Sequence, residues 1–334
     1  MPLSRWIALV LTVCFAVTLP AQQASARGYR HYLIGDVRAP TPGPVSGGLL
    51  LMGGGDRNTD SLKWFISKAG HGHIVILRAS QSTSIADELY KDVGGIASAE
   101  TFVFTSRKAA YDRKMLASLK RADGIFIAGG DQSRYVRFWK GTPVAAALDA
   151  HVAAGKPLAG TSAGLAMQGE YLYGAMDGGS ITSAEALADP LGVANTIETD
   201  FVHFAQLKGV ITDTHFKERN RLGRLFAFVA KAEKMRPAGA APLLGLGVDE
   251  SAALAVEPDG SARVYATAPD GGAWLVKGGF ADPVAPGQPL KLARVEVTGI
   301  SLASTLHLPG GKVDNPGFEK RYAVSDGQWR ELAD

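Results

Sequence analysis

Between residues 49 and 248, short and unbroken apolar runs alternate with segments of helical periodicity, and this alternation narrows the possible folds more than any other feature. The apolar runs fall at 49–52, 73–77, 101–104, 124–128, 156–159, 209–213 and 243–248. The helical segments fall between them, at 60–69, 85–93, 109–122, 133–154 and 216–232, with a break in the fourth near Gly141-Thr142-Pro143. A strand apolar on every residue has no face to show to water, so it belongs in a parallel sheet covered by helices on both sides. The predicted class is therefore α/β. Beyond residue 254 the texture changes. Pro258-Asp259-Gly260 and Pro269-Asp270-Gly271-Gly272 are hairpin turns flanking short strands, and 290–334 reads as irregular or strand-like.

The two ends of the chain lie outside that pattern. Arg5 precedes the apolar run 6–19, and Ala24-Ser25-Ala26 follows, which is the layout of a secretory signal cleaved near Ala26. An uncleaved membrane anchor is the alternative, but the run is short and wrongly flanked for a stable span. Val13 stands before Cys14 where a lipoprotein site wants a small residue. The expected organisation is a signal at 1–26, an extended lead-in at 27–46 with Pro40, Pro42 and Pro44, an α/β domain at 47–266, and a β-rich extension at 267–334 packing on that domain. Such a protein would be secreted or periplasmic, with no membrane contact after cleavage.

Cys14 is the only cysteine, so cleavage removes thiol nucleophiles, disulfides and Cys-ligated metals together. The net charge of +3, one unit of it from Arg5, is too weak and dispersed for a nucleic-acid partner. No His-x-x-x-His or His-Glu-x-x-His spacing points to a metal. Gly53-Gly54-Gly55 has neither dinucleotide spacing nor the Lys-Ser/Thr of a phosphate loop, so no cofactor is expected.

Chemistry enters at Gly160-Thr161-Ser162-Ala163-Gly164, between a strand and a helix. A serine in such a tight turn needs small neighbours, and its Oγ is lifted to a helix N-terminus that favours an oxyanion. The motif alone also fits an ordinary turn. A nucleophilic serine needs a base, an orienting acid and an oxyanion hole. Among the histidines, only His215 directly follows an apolar strand on the same sheet edge as Ser162. Glu250 ends the next strand on that edge, while Asp249 would point the other way by alternation. Asp177, in the loop after the elbow helix, is a second candidate for the acid. The order Ser, His, Glu disfavours an α/β-hydrolase, which places its acid between the two and could use only an acid such as Asp177 or Glu198 here.

Gly129-Gly130-Asp131-Gln132 closes the preceding strand, and glycines there let backbone N–H groups approach a ligand. The expected oxyanion donors are the amides of Gly130 and Ala163, with Asp131 and Gln132 as a polar cluster that could grip a peptide. Arg219, Arg221 and Arg224 follow His215 and suit carboxylate anchoring, although such a run also makes an ordinary solvated face.

Taken together these segments resemble the cyanophycinase and peptidase E family of serine exopeptidases, with cyanophycinases the nearer. The matching pieces are Gly129 to Gln132, Gly160 to Gly164, Asp213-Thr214-His215-Phe216 with the arginines through Arg224, and Gly245-Leu246-Gly247-Val248-Asp249-Glu250. They appear in the family's order and span about residues 48 to 265. The resemblance implies a flavodoxin-like sheet similar to class I glutamine amidotransferases, with serine in place of their elbow cysteine. It implies Ser162 as nucleophile, His215 as base and Glu250 as acid. It further implies Gln132, Arg219, Arg221 and Arg224 as substrate contacts, and a possible homodimer. The substrate implied is cyanophycin, an aspartate backbone bearing arginine side chains, released as β-Asp-Arg dipeptides. Thr214 departs from the longer polar residue often found before the histidine, and residues 184–208 form a long connection. Those departures bear on the substrate: an aspartyl or isoaspartyl dipeptidase of the same fold is the alternative, and an inactive exported binding protein a lesser one.

Overall fold

The computed structural model describes residues 27–80, 82–237, 239–282 and 284–333, so the expected signal at 1–26 lies outside the described residues. The first half of the chain follows the alternating pattern. It runs β1 (Tyr29–Gly35), β2 (Gly48–Met52), α1 (Thr59–Lys68), β3 (His73–Arg78), α2 (Ser84–Asp87), β4 (Ser98–Phe104), α3 (Arg113–Arg121), β5 (Gly124–Ile127), α4 (Gln132–Trp139), α5 (Pro143–Ala153), β6 (Pro157–Thr161) and α6 (Ala163–Ala166). Capping side chains set the helix starts: Asn58 accepts from Ser61 N–H, Asp112 from the Lys114 and Met115 amides, and Thr142 from Val144 N–H ahead of Pro143. The 133–154 segment is two helices broken at Lys140 to Thr142, as Gly141 and Pro143 require.

Strands β4, β3, β5, β6 and β2 lie side by side in parallel, and they form the heart of a ten-stranded sheet. Alternate residues serve opposite faces. Leu49 and Leu51 pack with Val75, Ile125, Tyr135 and Trp139, whereas Leu50 and Met52 pack with Ile74, Phe126, Leu62 and Phe65. Both faces are therefore covered, which is why these strands carry no polar alternation. Within the extended lead-in, residues 29–35 are β1, antiparallel to β4, with Tyr29 opposite Phe104. The prolines begin only at Pro40, which leaves the residues before them free to cover an otherwise bare sheet edge.

The second half continues with β7 (Leu172–Tyr173), α7 (Ser183–Ala188), β8 (Ile197–Glu198), β9 (Val210–Asp213), α8 (Leu222–Lys234), β10 (Leu244–Val248), β11 (Ala252–Val256), β12 (Ser261–Ala266), β13 (Ala273–Lys277), β14 (Leu292–Ile300), β15 (Thr305–His307), β16 (Lys312–Asp314), β17 (Phe318–Ser325) and β18 (Gln328–Glu331). Here β9 and β10 do not extend the first sheet. They pair in parallel with each other and begin a six-stranded sheet ordered β9, β10, β13, β14, β17, β18. The chain then returns through Asp249-Glu250-Ser251 to β11, which joins β2 in the first sheet. The C-terminal strands divide between the sheets, β15 and β16 closing the edge of the first. Among the described residues no helix is long and apolar enough to cross a membrane.

Candidate active site

Ser162 follows the last residue of β6 and stands at φ 53°, ψ −118°. Backbone in that region is strained for any residue with a Cβ, and it persists only where its surroundings enforce it. Two glycines enforce it here. A Cβ on Gly160 would overlap Gly164 O, and one on Gly164 would overlap the carbonyl of Ile127. The Ser162 amide donates to Met52 O at 3.0 Å, which ties the elbow to the end of β2.

His215 Nε2 lies 2.7 Å from Ser162 Oγ, and His215 Nδ1 lies 2.5 Å from Glu250 Oε1. Glu250 thus takes the Nδ1 position, whereas Asp177 is exposed on the loop after β7 and Glu198 pairs with Lys140 at 2.7 Å. His215 is itself at positive φ, 46°, with its amide donating to Gly53 O at 2.9 Å. The helix expected from 216 starts only at Leu222, because His215 and Asn220 both take left-handed backbone and make a turn of the intervening residues. Gly54, at φ 116°, lies flat against the imidazole, and any Cβ there would overlap the ring. That contact was missed in the sequence, where Gly53-Gly54-Gly55 showed only what it could not bind. Its place at a strand end on the Ser162 edge was the available signal.

Asp249 points away from Glu250, as alternation requires. It accepts from Lys217 N–H at 3.0 Å, Trp274 Nε1 at 3.0 Å and Gly272 N–H at 3.2 Å. Burial pushes its carboxyl up to about 6 despite those donors. His215 is held below its ordinary value of 6.5, first by burial and then by the charges of Arg219 and Arg221, against the raising contact with Glu250. A depressed value keeps the imidazole neutral, hence able to accept a proton, at neutral pH.

Beside Ser162 runs the Gly129-Gly130 turn; a Cβ on Gly129 would lie 3.3 Å from Ser162 Cβ. Gly130, at φ 145°, takes a conformation natural only to glycine. Ala163 is the first residue of α6, where an N–H has no acceptor within its own helix. A cleft of about 360 Å³ opens from Gly130, lined by Asp131, Gln132, Arg137 and Ser180 among others. Asp131 is the N-cap of α4, its Oδ1 accepting from Ser133 N–H at 2.9 Å and Ser133 Oγ at 2.7 Å. Gln132, which lines the cleft, donates its amide to the Tyr173 carbonyl.

The three arginines part company. Arg224 is corrected to an internal role. It is 3% exposed, its Nε and Nη2 grip both oxygens of Asp213, and its Nη1 donates to Ser180 Oγ at 2.8 Å and Ile181 O at 3.0 Å. Four of its five N–H donors are taken by these internal partners. Arg221 is also buried; it donates to Thr214 O at 2.8 Å and reaches Ser180 Oγ at 3.2 Å, and burial, with the charges of Arg224 and Arg219, lowers it to about 10 against the raising effect of Asp213. Arg219 alone is open, its side chain 52% exposed and 3.7 Å from Glu250. Thr214, bound to Arg221, belongs to this framework. Arg137 and Ser180 were not singled out in the sequence, since their place in the cleft depends on a loop fold with no sequence signature.

The model of peptidase family S51 matches residues 49–261 of this chain. A cyanophycinase of Synechococcus elongatus is 32% identical over 229 residues, a match covering 65% of this chain and 64% of that protein, so the chain spans just under two thirds of its length. A cyanophycinase of Trichormus variabilis is 31% identical over 234 residues, covering 67% of this chain and 72% of its own. A solved peptidase from an acI-B1 actinobacterium superposes with a TM-score of 0.47 at 15% identity, over 82% of this chain and 96% of that one.

Proposed function

Because the chain belongs to peptidase family S51, we propose that it is an exported serine exopeptidase that hydrolyses cyanophycin to β-Asp-Arg dipeptides. The observation carrying the chemistry is the hydrogen-bonded line Ser162–His215–Glu250 on a strained elbow. Ser162 Oγ attacks the scissile carbonyl carbon while its proton passes to His215 Nε2. The oxyanion forms toward the amides of Gly130 and Ala163. Collapse breaks the C–N bond, and His215 returns the proton to the leaving amine, so an acyl-enzyme on Ser162 remains. Water then repeats the sequence with His215 as base. Glu250 accepts from Nδ1–H, which fixes the tautomer and stabilises the imidazolium. Arg219 beside Glu250, and Arg137 on the cleft wall, supply exposed guanidinium groups for substrate carboxylates.

The substrate rests on the likeness to cyanophycinases, and export rests on the leader pattern at 1–26. The test sets purified protein against cyanophycin and against short aspartyl and isoaspartyl dipeptides, with products read by mass spectrometry. The expected product is β-Asp-Arg from the polymer, lost by roughly 10⁶ in kcat with Ser162→Ala. Dipeptide cleavage without polymer release would move the protein to the dipeptidase reading. An unimpaired Ser162→Ala variant, or no reaction of Ser162 with a fluorophosphonate, would remove the mechanism.

A further inference from the structure

Behind the Gly129-Gly130 turn stand three polar side chains for which the reaction above has no use. The carbonyl of Gly129 accepts from Tyr135 Oη at 3.2 Å and from Ser80 Oγ at 3.4 Å. Tyr135 Oη also donates to Ala128 O at 2.7 Å, so its one proton is shared between consecutive carbonyls and Ser80 supplies the second donor to Gly129. Tyr135 is completely buried, and its ring is stacked on Trp139 with centroids 4.4 Å apart. Ser80 is held in turn by Arg78, whose Nε donates to Ser80 O at 2.7 Å and whose Nη2 donates to Ser80 Oγ at 3.2 Å.

Arg78 is an unusual support. It ends β3, which is buried at every residue after His73, is 7% exposed, and has no carboxylate partner among the described residues; its Nη1 is buried without any hydrogen-bond partner. A buried, unpaired guanidinium is costly, so a purely structural role is a poor use of one. Donation from a cation to Ser80 Oγ polarises that hydroxyl and makes it a stronger donor to Gly129 O.

The geometry of the peptide bond gives this arrangement its consequence. The C=O of Gly129 and the N–H of Gly130 belong to one planar trans peptide and point in opposite directions. Whatever holds the carbonyl therefore aims the amide. Nothing local does so, because a Gly-Gly peptide with Gly130 at φ 145° has no Cβ to resist rotation. We propose that Tyr135 and Ser80, backed by Arg78, are positioning residues that fix the Gly129–Gly130 peptide so that the Gly130 N–H faces the developing oxyanion. This deepens the serine-peptidase reading and rests on it.

Two variants test it with the full-length protein on cyanophycin. Tyr135→Phe keeps the ring and its stack on Trp139 while deleting the donor, and Ser80→Ala removes the other. An oxyanion donor contributes interactions made mainly in the transition state, and deleting one outright costs roughly 10²–10³ in kcat. Misaiming one is expected to cost about 10-fold to 10²-fold in kcat for each variant, with KM within about twofold. Ser80→Thr, which keeps a hydroxyl, is expected to recover most of the loss. A parent that cleaves and a dead Ser162→Ala, together with unchanged kcat in both Tyr135→Phe and Ser80→Ala, would overturn this proposal and leave the underlying reading intact. So would losses that follow the melting temperature, vanish on cooling and are not recovered by Ser80→Thr. An inactive parent, or an active Ser162→Ala, would overturn the underlying reading instead.

Discussion

Ser162 and His215 both stand at positive φ, 53° and 46°, and the structure holds the two in different ways. The serine's conformation is enforced within five residues, by Gly160 and Gly164, on a strand hydrogen-bonded to parallel neighbours on both sides. The histidine's is enforced from a distance. Gly53 takes its amide, Gly54 clears room for its ring, and Glu250 reaches it from the corner where the chain crosses between sheets. Strain of about 1–3 kcal/mol per residue is tolerable in either setting. The first needs a short motif; the second needs the two sheets to meet in register.

That contrast can be broken at the arginine framework. Arg224→Met leaves the Asp213 carboxylate buried beside Thr214 and His215 without its bidentate partner, and removing one member of such a pair costs about 3–5 kcal/mol. A large fall in melting temperature is expected in thermal unfolding; an unchanged value would show that the framework does not hold the histidine half. Substitution at the two kinds of glycine sharpens the comparison. Gly54→Ala pushes the imidazole off line, and a misplacement near 1 Å costs about 10²-fold in kcat. Gly164→Ala instead drives a Cβ into the Ile127 carbonyl, so activity and melting temperature should fall together. Equal melting losses for the two would erase the distinction.

Smaller effects follow from charge. Arg219→Ala sits on an exposed side chain, so stability should stay within about 0.5 kcal/mol. Its loss should raise KM, and, since a nearby positive charge holds His215 down, it should shift the acid limb of kcat/KM toward higher pH. An unmoved limb would mean that Arg219 adds nothing to the depression that burial imposes on His215. Asp249, raised from 3.8 to about 6 on folding, contributes stability that is full below the lower value and lost as pH rises through the upper. The melting temperature of Asp249→Asn relative to the parent should therefore rise between pH 4 and 7. A flat difference would place its titration elsewhere.

What could be read in the sequence was whatever is written over short distances. The parallel strands were legible because both faces are buried, the break near Gly141 because proline and glycine stop helices, and the elbow because its five residues enforce their own geometry. Arg224 was misjudged because a sequence shows a cation near His215 and does not show that Asp213, on the preceding strand, takes its Nε and Nη2. Gly54 went unread because the meaning of a missing Cβ lies in what stands opposite it. The second sheet was blurred because β14 is buried at intervals, with exposed residues at 293, 294 and 296, so its pattern matches no single template.

The corner at Asp249 and Glu250 has a consequence in time as well as in space. A growing chain that has just presented Glu250 already contains Ser162 and His215, yet lacks Gly272 and Trp274, which brace Asp249, and lacks β13, the neighbour that covers β10. The Ser162–His215–Glu250 line is therefore braced only once residues well beyond Glu250 have been delivered.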